Sequence, residues 1–280
     1  MIELKQLVLE LKRQPSVPVD SKVISPNILA EKSLEEIAKL KLWEGNRQIE
    51  LSDLFIVKGE TGGPASDLQV VISGEMRKIR CLGYRMSSGS LRIKGDVGMY
   101  VGEEMCGGSI SIEGSAESWL GSKMRGGNIE VFGDAGDHVG APYRGSREGL
   151  TGGQITIHGG AGVEVGCWMS DGVIRIGGNV GMFPGIYMCG GIILIEGDCI
   201  GRAGAGMTGG RVIIRGRLET ILPSFSTEEI RDRVRVGDER IEGPFYVFQG
   251  DVGSARTGRI LVSTTRNPQL KSFEKYLETW

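Results

Sequence analysis

Short segments that alternate apolar with polar residues recur through the middle of the chain. In each of them a branched apolar side chain occupies every second position before a glycine, which is the period of a strand with one buried face. Seven such strands are predicted, at residues 90–95, 109–114, 128–133, 154–159, 173–178, 192–197 and 211–216.

The strands belong to a repeat with a fixed period. An apolar residue precedes each strand by four positions, and these lead residues are nineteen apart except for one step of twenty-six: Met86, Met105, Met124, Leu150, Met169, Met188 and Met207. A short period with one strand per unit is typical of a solenoid, and nineteen residues are too few for a propeller blade of four strands. We therefore predict an all-β, right-handed parallel β-helix of seven to eight coils, with the lead residues as an internal ladder.

Both ends of the chain depart from the repeat. We predict a short helix at 33–40, where Ser33 and Glu36 have the spacing of a capping box, and a second at 226–234. A third is predicted at 267–280, with Asn267 as N-cap and Pro268 first in the helix. Further strand fragments are predicted at 55–60, 68–75 and 246–251.

These patterns divide the chain into three parts. They are an N-terminal capping segment at 1–60, the β-helix at 61–222 and a C-terminal capping segment at 223–280. The capping segments are expected to be helical or irregular. They would cover the terminal coils, which otherwise expose unpaired strand edges.

Composition and charge narrow the class of protein. Glycine supplies 46 of the 280 residues, more than twice the average share of about 7%, as expected for a chain with many tight corners. The net charge of −2 does not indicate a positively charged surface that would bind nucleic acid or an anionic membrane. The chain has no apolar run of membrane-spanning length and no signal peptide at its start, so we expect a soluble, cytoplasmic protein without membrane insertion.

The residue inventory offers little chemistry. The five cysteines form no CxxC pair and only two histidines occur. The chain therefore offers few ligands for an iron–sulfur cluster or a zinc ion. The position after each strand reads Asp96, Ser115, Asp134, Gly160, Asn179 and Asp198. We expect these acids to accept hydrogen bonds from turn amides, and we predict no catalytic, cofactor-binding or metal-binding residue in this chain.

The candidate functional residues are instead those suited to binding a partner protein. They are two tryptophans and a tyrosine of the repeats with three residues of the insertion at 142–148: Trp119, Trp168, Tyr187, Tyr143, Arg144 and Arg147. Aromatic and arginine side chains dominate the energetics of protein interfaces. Three alternatives stay open: packing of the tryptophans beneath the terminal segments, an anion contact at the insertion, and a simple solvated bulge there.

The sequence resembles a known family. The glycine repeat, which begins with Gly95, Gly98, Gly102, Gly107 and Gly108, resembles the glycine-repeat β-helix at the carboxyl end of glutamate synthase. A closer resemblance, over essentially the whole chain, is to the C subunit of formylmethanofuran dehydrogenase. Besides the repeat, it is carried by the segments 33–57, 140–153, 221–225 (ILPSF) and 267–271 (NPQLK).

That resemblance implies a non-catalytic scaffold subunit of an archaeal oxidoreductase complex. The complex reduces CO2 and couples it to methanofuran as formylmethanofuran in methanogenesis. The family's tungsto- or molybdopterin, iron–sulfur clusters and binuclear metal centre lie on other subunits. The partners implied are the hydrolase-type A subunit, the pterin and iron–sulfur subunits B and D, and ferredoxin-like subunits.

Two alternative functions remain at this point. A similar C subunit belongs to the formyltransferase/hydrolase complex of methylotrophic formaldehyde oxidation, which carries out no redox chemistry. A stand-alone carbohydrate-active β-helix is the second alternative. Iron–sulfur and pterin absorbance in a purified complex would distinguish the dehydrogenase from the hydrolase complex, and activity of the chain alone on a glycan would favour the last.

Overall fold

The computed structural model describes residues 5–253 and 257–277 and is predominantly β. The strands are β1 (Lys5–Leu11), β2 (Val19–Asp20), β3 (Lys41–Glu44), β4 (Arg47–Glu50), β5 (Phe55–Gly59), β6 (Leu68–Ser73), β7 (Ile79–Arg80), β8 (Ser90–Lys94), β9 (Cys106–Ile112), β10 (Gly126–Val131), β11 (Thr151–Ile157), β12 (Asp171–Ile176), β13 (Val180–Met182), β14 (Cys189–Ile195), β15 (Cys199–Gly201), β16 (Gly209–Ile214), β17 (Ser226–Val236), β18 (Glu239–Gly250) and β19 (Gly258–Ser263). The helices are α1 (Pro26–Leu29), α2 (Leu34–Ala38) and α3 (Leu51–Leu54), with 3₁₀ helices at Ala65–Asp67 and Pro268–Tyr276.

The seven strands predicted from the repeat are β8, β9, β10, β11, β12, β14 and β16, and they are parallel neighbours in one sheet. The strand register repeats the sequence period, since Leu91 pairs with Ile110 and Ile110 with Ile129. Ile129 then pairs with Ile155 across the longer step. The insertion therefore loops out of the repeat without shifting the strands that follow it.

Each repeat makes two further backbone ladders with its neighbours. After the strand, parallel bridges join Val97 to Ala116 and Ala116 to Ala135. Farther along, the amide of Gly102 donates to the carbonyl of Leu82 at 2.9 Å, and that of Gly121 to Val101 at 2.8 Å. Equivalent positions of successive repeats thus lie beside one another at three places along the unit.

The lead residues face inward, as predicted. All seven are fully buried: Met86, Met105, Met124, Leu150, Met169, Met188 and Met207. They join the inward side chains of the strands in one continuous core. Methionine fits such a column because its unbranched side chain adapts to irregular gaps.

The acids that follow the strands bind turn amides, as predicted. Oδ1 of Asp96 accepts from the amide of Ser115 at 2.8 Å, and Oδ1 of Asp198 from that of Arg217 at 2.7 Å. The Ser115 amide and the Arg77 guanidinium together hold the pKa of Asp96 below its usual range.

The N-terminal segment extends the sheet. Strand β1 pairs in parallel with β6 and antiparallel with β5, so β5 forms one edge of the sheet. The predicted strand fragments at 55–60 and 68–75 are confirmed as β5 and β6. The predicted helix at 33–40 is confirmed as α2, with the amide of Ser33 donating to Glu36 at 2.8 Å and that of Glu36 donating back to Ser33 Oγ at 3.3 Å.

The predicted helix at 226–234 is wrong, because this segment is strand β17 in an antiparallel hairpin with β18. Val234 and Val236 are buried, with exposed Arg235 between them, so the segment has a strand's alternation at its end. The hairpin packs on apolar side chains that face outward from the parallel strands. It buries Leu194, Ile213 and Leu261 in a second core.

The remaining C-terminal predictions are partly confirmed. The fragment at 246–251 is a strand, but it lies in antiparallel β18, and the parallel neighbour of β16 is β19. Asn267 and Pro268 begin a helix as predicted, although it is 3₁₀ and Asn267 makes no side-chain cap bond. Residues 278–280 of the predicted helix lie outside the described residues.

Helices in the described parts of the chain fall short of the length and hydropathy that a membrane span requires. Within residues 5–253 and 257–277, no three His, Cys, Asp or Glu side chains lie close enough together to share a metal ion.

Candidate partner interface

One corner of the repeat holds its backbone in the left-handed conformation. Twelve non-glycine residues in the described chain have φ between 51° and 66°. All of them belong to two columns of this corner, which we call the left-handed corner: Cys81, Tyr100, Trp119, His138, Glu164, Phe183 and Arg202 in the first, and Arg85, Glu104, Lys123, Trp168 and Tyr187 in the second.

The middle of each turn has no room for a side chain. Tyr100, Gly102 and Glu104 are all left-handed, and a β-carbon on Gly102 would lie 2.5 Å from Cδ1 of Ile129. Glycine is therefore required at the middle position. The flanking positions also have the conformation that favours glycine, yet they carry large side chains at a cost of about 1–2 kcal/mol each. Strain kept at a set of equivalent positions points to a function for those side chains.

The side chains of the corner stack on one another. The ring centroids of Tyr100 and Trp119 are 5.2 Å apart, and those of Trp119 and His138 are 4.6 Å apart. In the second column, Trp168 stacks on Tyr187 at 4.8 Å. Stacked rings of this kind stabilise one another by about 0.5–1.5 kcal/mol beyond their buried area. The corner therefore presents preformed aromatic surfaces.

The insertion at 142–148 folds over this corner. Its start is fixed by Ser122 Oγ, which donates to the carbonyl of Ala141 at 2.7 Å, and the amide of Gly149 donates to the carbonyl of Trp168 at 3.1 Å. The ring of Tyr143 lies 5.6 Å from that of Tyr100. The insertion is thus held at both ends, while four of its residues are exposed: Arg144, Gly145, Arg147 and Glu148.

The structure brings all six predicted residues together. Five of them line one cavity of about 200 Å³: Trp119, Tyr143, Arg144, Trp168 and Tyr187. The sixth, Arg147, places its guanidinium carbon 5.5 Å from the ring centroid of Trp168. That they bind a partner stays a prediction.

Cations border the aromatic surfaces. Lys123 lies over the ring of Tyr143 at 5.6 Å and Arg202 over that of Phe183 at 5.4 Å. Cys167 lines the cavity of about 200 Å³ at this corner. Burial raises the pKa of its thiol to about 12, so the thiol stays protonated at neutral pH. Aromatic faces edged by guanidinium and ammonium groups suit recognition of another protein surface.

Three residues of this region were missed from the sequence. Tyr100 and His138 stand in the column of Trp119, nineteen residues before and after it, so the period could have identified them. His138 Nδ1 lies 3.4 Å from Glu164 Oε2 at the cavity wall. Glu103 accepts a hydrogen bond from the Tyr143 hydroxyl and is buried. Glu103 stands in the column of Ser122 and Ala141, which are also buried, so the period could have identified this position as well.

Comparison with known proteins finds relatives by sequence and a similar solved structure. No protein-family model matches the sequence. The chain is 42% identical over 99 residues to the C subunit of the tungsten-containing formylmethanofuran dehydrogenase 2 of Methanothermobacter marburgensis. It is 36% identical over 99 residues to the C subunit of the molybdenum-containing formylmethanofuran dehydrogenase 1 of Methanosarcina barkeri. The matched segment spans 35% of this chain and 37% and 33%, respectively, of those relatives.

A solved structure is similar over nearly the whole chain. It is a chain in the crystal structure of the formyltransferase/hydrolase complex from Methylorubrum extorquens with methylofuran. The two chains are 30% identical with a TM-score of 0.82, and the likeness covers 91% of this chain and 99% of that one. The chain belongs to the family of formylmethanofuran dehydrogenase C subunits. The resemblance to the C subunit predicted from the sequence is thereby confirmed.

Proposed function

We propose that this homologue of the C subunit is the non-catalytic scaffold of a formylmethanofuran dehydrogenase complex, which reduces CO2 and couples it to methanofuran as formylmethanofuran. The observation that carries the proposal is the likeness at 30% identity, over 91% of the chain, to a chain solved within a multi-subunit complex. The curated relatives, whose names are those of dehydrogenase subunits, support the dehydrogenase.

The scaffold in this proposal is a right-handed parallel β-helix of seven to eight coils at 61–222, between capping segments at 1–60 and 223–280. The three backbone ladders between successive repeats support stacked coils. Right-handed crossovers between parallel strands account for about 98% of known cases, which supports the handedness. Strands β1 and β19 add to the same sheet beyond β6 and β16, respectively, and support the capping role.

The left-handed corner is the proposed docking surface for the partner subunits. Three candidate residues of the corner and two of the insertion line one cavity, Arg147 lies over Trp168, and the aromatic faces are already stacked before any partner binds. A preorganised surface loses less side-chain entropy on binding. In this arrangement the pterin, the iron–sulfur clusters and the binuclear metal centre reside on the hydrolase-type, pterin and ferredoxin-like subunits, and the complex is cytoplasmic.

A formyltransferase/hydrolase complex is the second candidate, because the structural match is to a chain of such a complex. The two candidates differ in the cofactors of the partners. Purification of the tagged chain from its own cells, followed by protein identification and visible spectroscopy, tests both. Bound subunits with iron–sulfur and pterin absorbance are expected for the dehydrogenase, and colourless subunits that hydrolyse the formylated cofactor would favour the alternative. A chain purified without partners would overturn the scaffold proposal.

A further inference from the structure

Glu103 is a buried carboxylate with one oxygen unpaired. The residue is 3% exposed, and its Oε1 accepts a hydrogen bond from the hydroxyl of Tyr143. Its Oε2 has no hydrogen-bond partner among the described residues. An unsatisfied buried group of this kind is rare in folded proteins, because it loses its interaction with water without replacement. The free oxygen therefore calls for a donor from outside the chain.

A cavity of about 590 Å³ lies beside this carboxylate. It is a different cavity from the one at the left-handed corner, and Tyr143 lines both. Besides Glu103, its walls carry charged and aromatic side chains of the N-terminal segment, the repeats and the insertion: Asp20, Lys22, Trp43, Arg80, Tyr100 and Tyr143. Trp43 is exposed, at 51% of the residue's surface.

The cations whose charges act on Glu103 are Lys22, Lys123 and Arg85, and each has a partner of its own. Lys123 Nζ lies 5.6 Å from the ring centroid of Tyr143. Lys22 Nζ lies 4.7 Å from the ring centroid of Tyr84 and 3.9 Å from Asp20 Oδ2. Arg85 is bound by its Nε to Glu104 at 2.8 Å. Burial raises the pKa of Glu103, as expected for a carboxylate without a close counter-ion.

We propose that this cavity receives an arginine side chain from a partner subunit, which donates to Oε2 of Glu103. The inference rests on the proposed function, since the partner is another subunit of the complex. A guanidinium has donors for the carboxylate and a flat face for stacking on aromatic rings. Here Trp43, Tyr100 and Tyr143 line the same cavity as Glu103. A desolvated carboxylate that shares a cavity with aromatic rings selects such a cation over a neutral side chain.

The first test is made in the assembled complex. Glu103→Gln keeps the size of the side chain and removes its charge, and we expect the affinity of the chain for the remaining subunits to fall about 30-fold or more. Glu117→Gln, an exposed position on another side of the repeat, is the matched control and is expected to bind like the wild type. Equal affinity of the Glu103 variant and the wild type would overturn the inference.

A third variant addresses the lysine in the cavity. If Lys22 were the true partner of Glu103, Lys22→Met would leave the carboxylate unpaired and weaken assembly. If the cavity receives an external arginine, loss of this competing cation leaves the affinity unchanged or higher. Weaker assembly of Lys22→Met would therefore count against the proposal.

The second test uses the purified chain alone, with n-butylguanidinium as the probe and n-butylurea as its neutral counterpart. Tryptophan fluorescence should report saturable binding of the guanidinium to the wild type, no binding of the urea, and at least tenfold weaker guanidinium binding by Glu103→Gln. If the chain binds the guanidinium in this way but assembles with no partner, the proposed function is refuted and the cation site is supported. If Glu103→Gln assembles as well as the wild type and the two proteins bind the probe equally, the cation site is refuted and the proposed function is unaffected.

Discussion

A β-carbon on Gly127 would lie 2.7 Å from Cε of Met105, because the buried methionine of one repeat packs directly against a glycine of the next. The same contact recurs between Met86 and Gly108, also at 2.7 Å. The methionine column and the glycine column of the repeat are therefore one packing feature. Each glycine provides the space into which the preceding methionine extends.

Gly127→Ala is expected to destabilise the fold by about 3 kcal/mol or more, since the methyl group overpacks the core and also occupies a left-handed position. The φ of Gly127 is +86° and the carbonyl oxygen of Gly108 lies 2.8 Å from the added carbon. The free energy of unfolding from urea denaturation measures the effect.

The matched control is Gly145→Ala in the insertion. Gly145 has a similar φ of +90°, but nothing lies within 4 Å of an added β-carbon. Gly145→Ala should lower the free energy of unfolding only by the cost of the left-handed backbone, about 1–2 kcal/mol. If the two variants unfolded at the same urea concentration, the close packing of Gly127 against Met105 would not contribute to stability.

Asn267 holds the C-terminal segment onto the last repeats. It is fully buried, and its Nδ2 donates to the carbonyls of Gly216 and Ser263, each at 2.9 Å. Its Oδ1 accepts from the amide of Leu218 at 2.8 Å. The side chain thus bonds to the backbone at 216–218 and, four residues before Asn267 itself, at Ser263.

Asn267→Asp is expected to cost about 3 kcal/mol or more, because a carboxylate would face two buried carbonyl oxygens in place of a donor. Thermal unfolding measured from pH 5 to pH 8 should show the loss growing as pH rises and the new carboxyl ionises. Asn128→Asp, at an exposed position of β10, is the control and should change stability by at most about 0.5 kcal/mol. Similar losses in both variants would contradict the role given to Asn267.

Glu103 makes the stability of the chain depend on pH. Since burial raises its pKa in the folded state, the charged form is disfavoured there, and the fold loses stability as pH rises above the unfolded pKa of about 4.3. Glu103→Gln should therefore unfold at a higher temperature than the wild type at pH 8, with a difference that closes as pH falls toward about 4.3. A constant difference across that range would show that ionisation of Glu103 does not contribute.

Two substitutions of Trp119 measure backbone strain and partner docking separately. Because its φ is 61°, Trp119→Gly should be more stable than Trp119→Ala by about 1 kcal/mol. Both variants should weaken binding of the partner subunits by about 30-fold, the loss typical of an aromatic hot spot. Phe132→Ala is the control, since Phe132 is 52% exposed and stacks on His158 outside the left-handed corner. Equal losses for Phe132 and Trp119 would place the docking surface elsewhere.

The repeat could be predicted because it is local and regular. One strand per nineteen residues determines which side chains point inward, and Met124 and Ile129 lie where the period places them. The hairpin of β17 and β18 was missed because charged residues at 228–233 resemble a solvated helix. Two signals did indicate it: the two-residue turn Gly237–Asp238, and the apolar run at 192–195, whose outward side chains need a cover.

The candidate site was predictable as residue types but not as an arrangement. Trp119 and Trp168 were selected for their chemistry, and the period relates each to its neighbours in a column. The cavity between them depends on how the insertion folds back, which the repeat does not specify. The hydrogen bond between Glu103 and Tyr143, forty residues away in sequence, likewise depends on how the insertion folds back.

The central claim is that the chain functions as the structural support of a larger complex. Native mass spectrometry of the tagged full-length chain, purified from its own cells in low salt, tests this most directly. The account predicts an assembly that contains the 30.2 kDa chain together with other subunits, with the catalytic activity lost when those subunits are stripped away. A species of 30.2 kDa alone, or a stripped chain that retains activity, would contradict it.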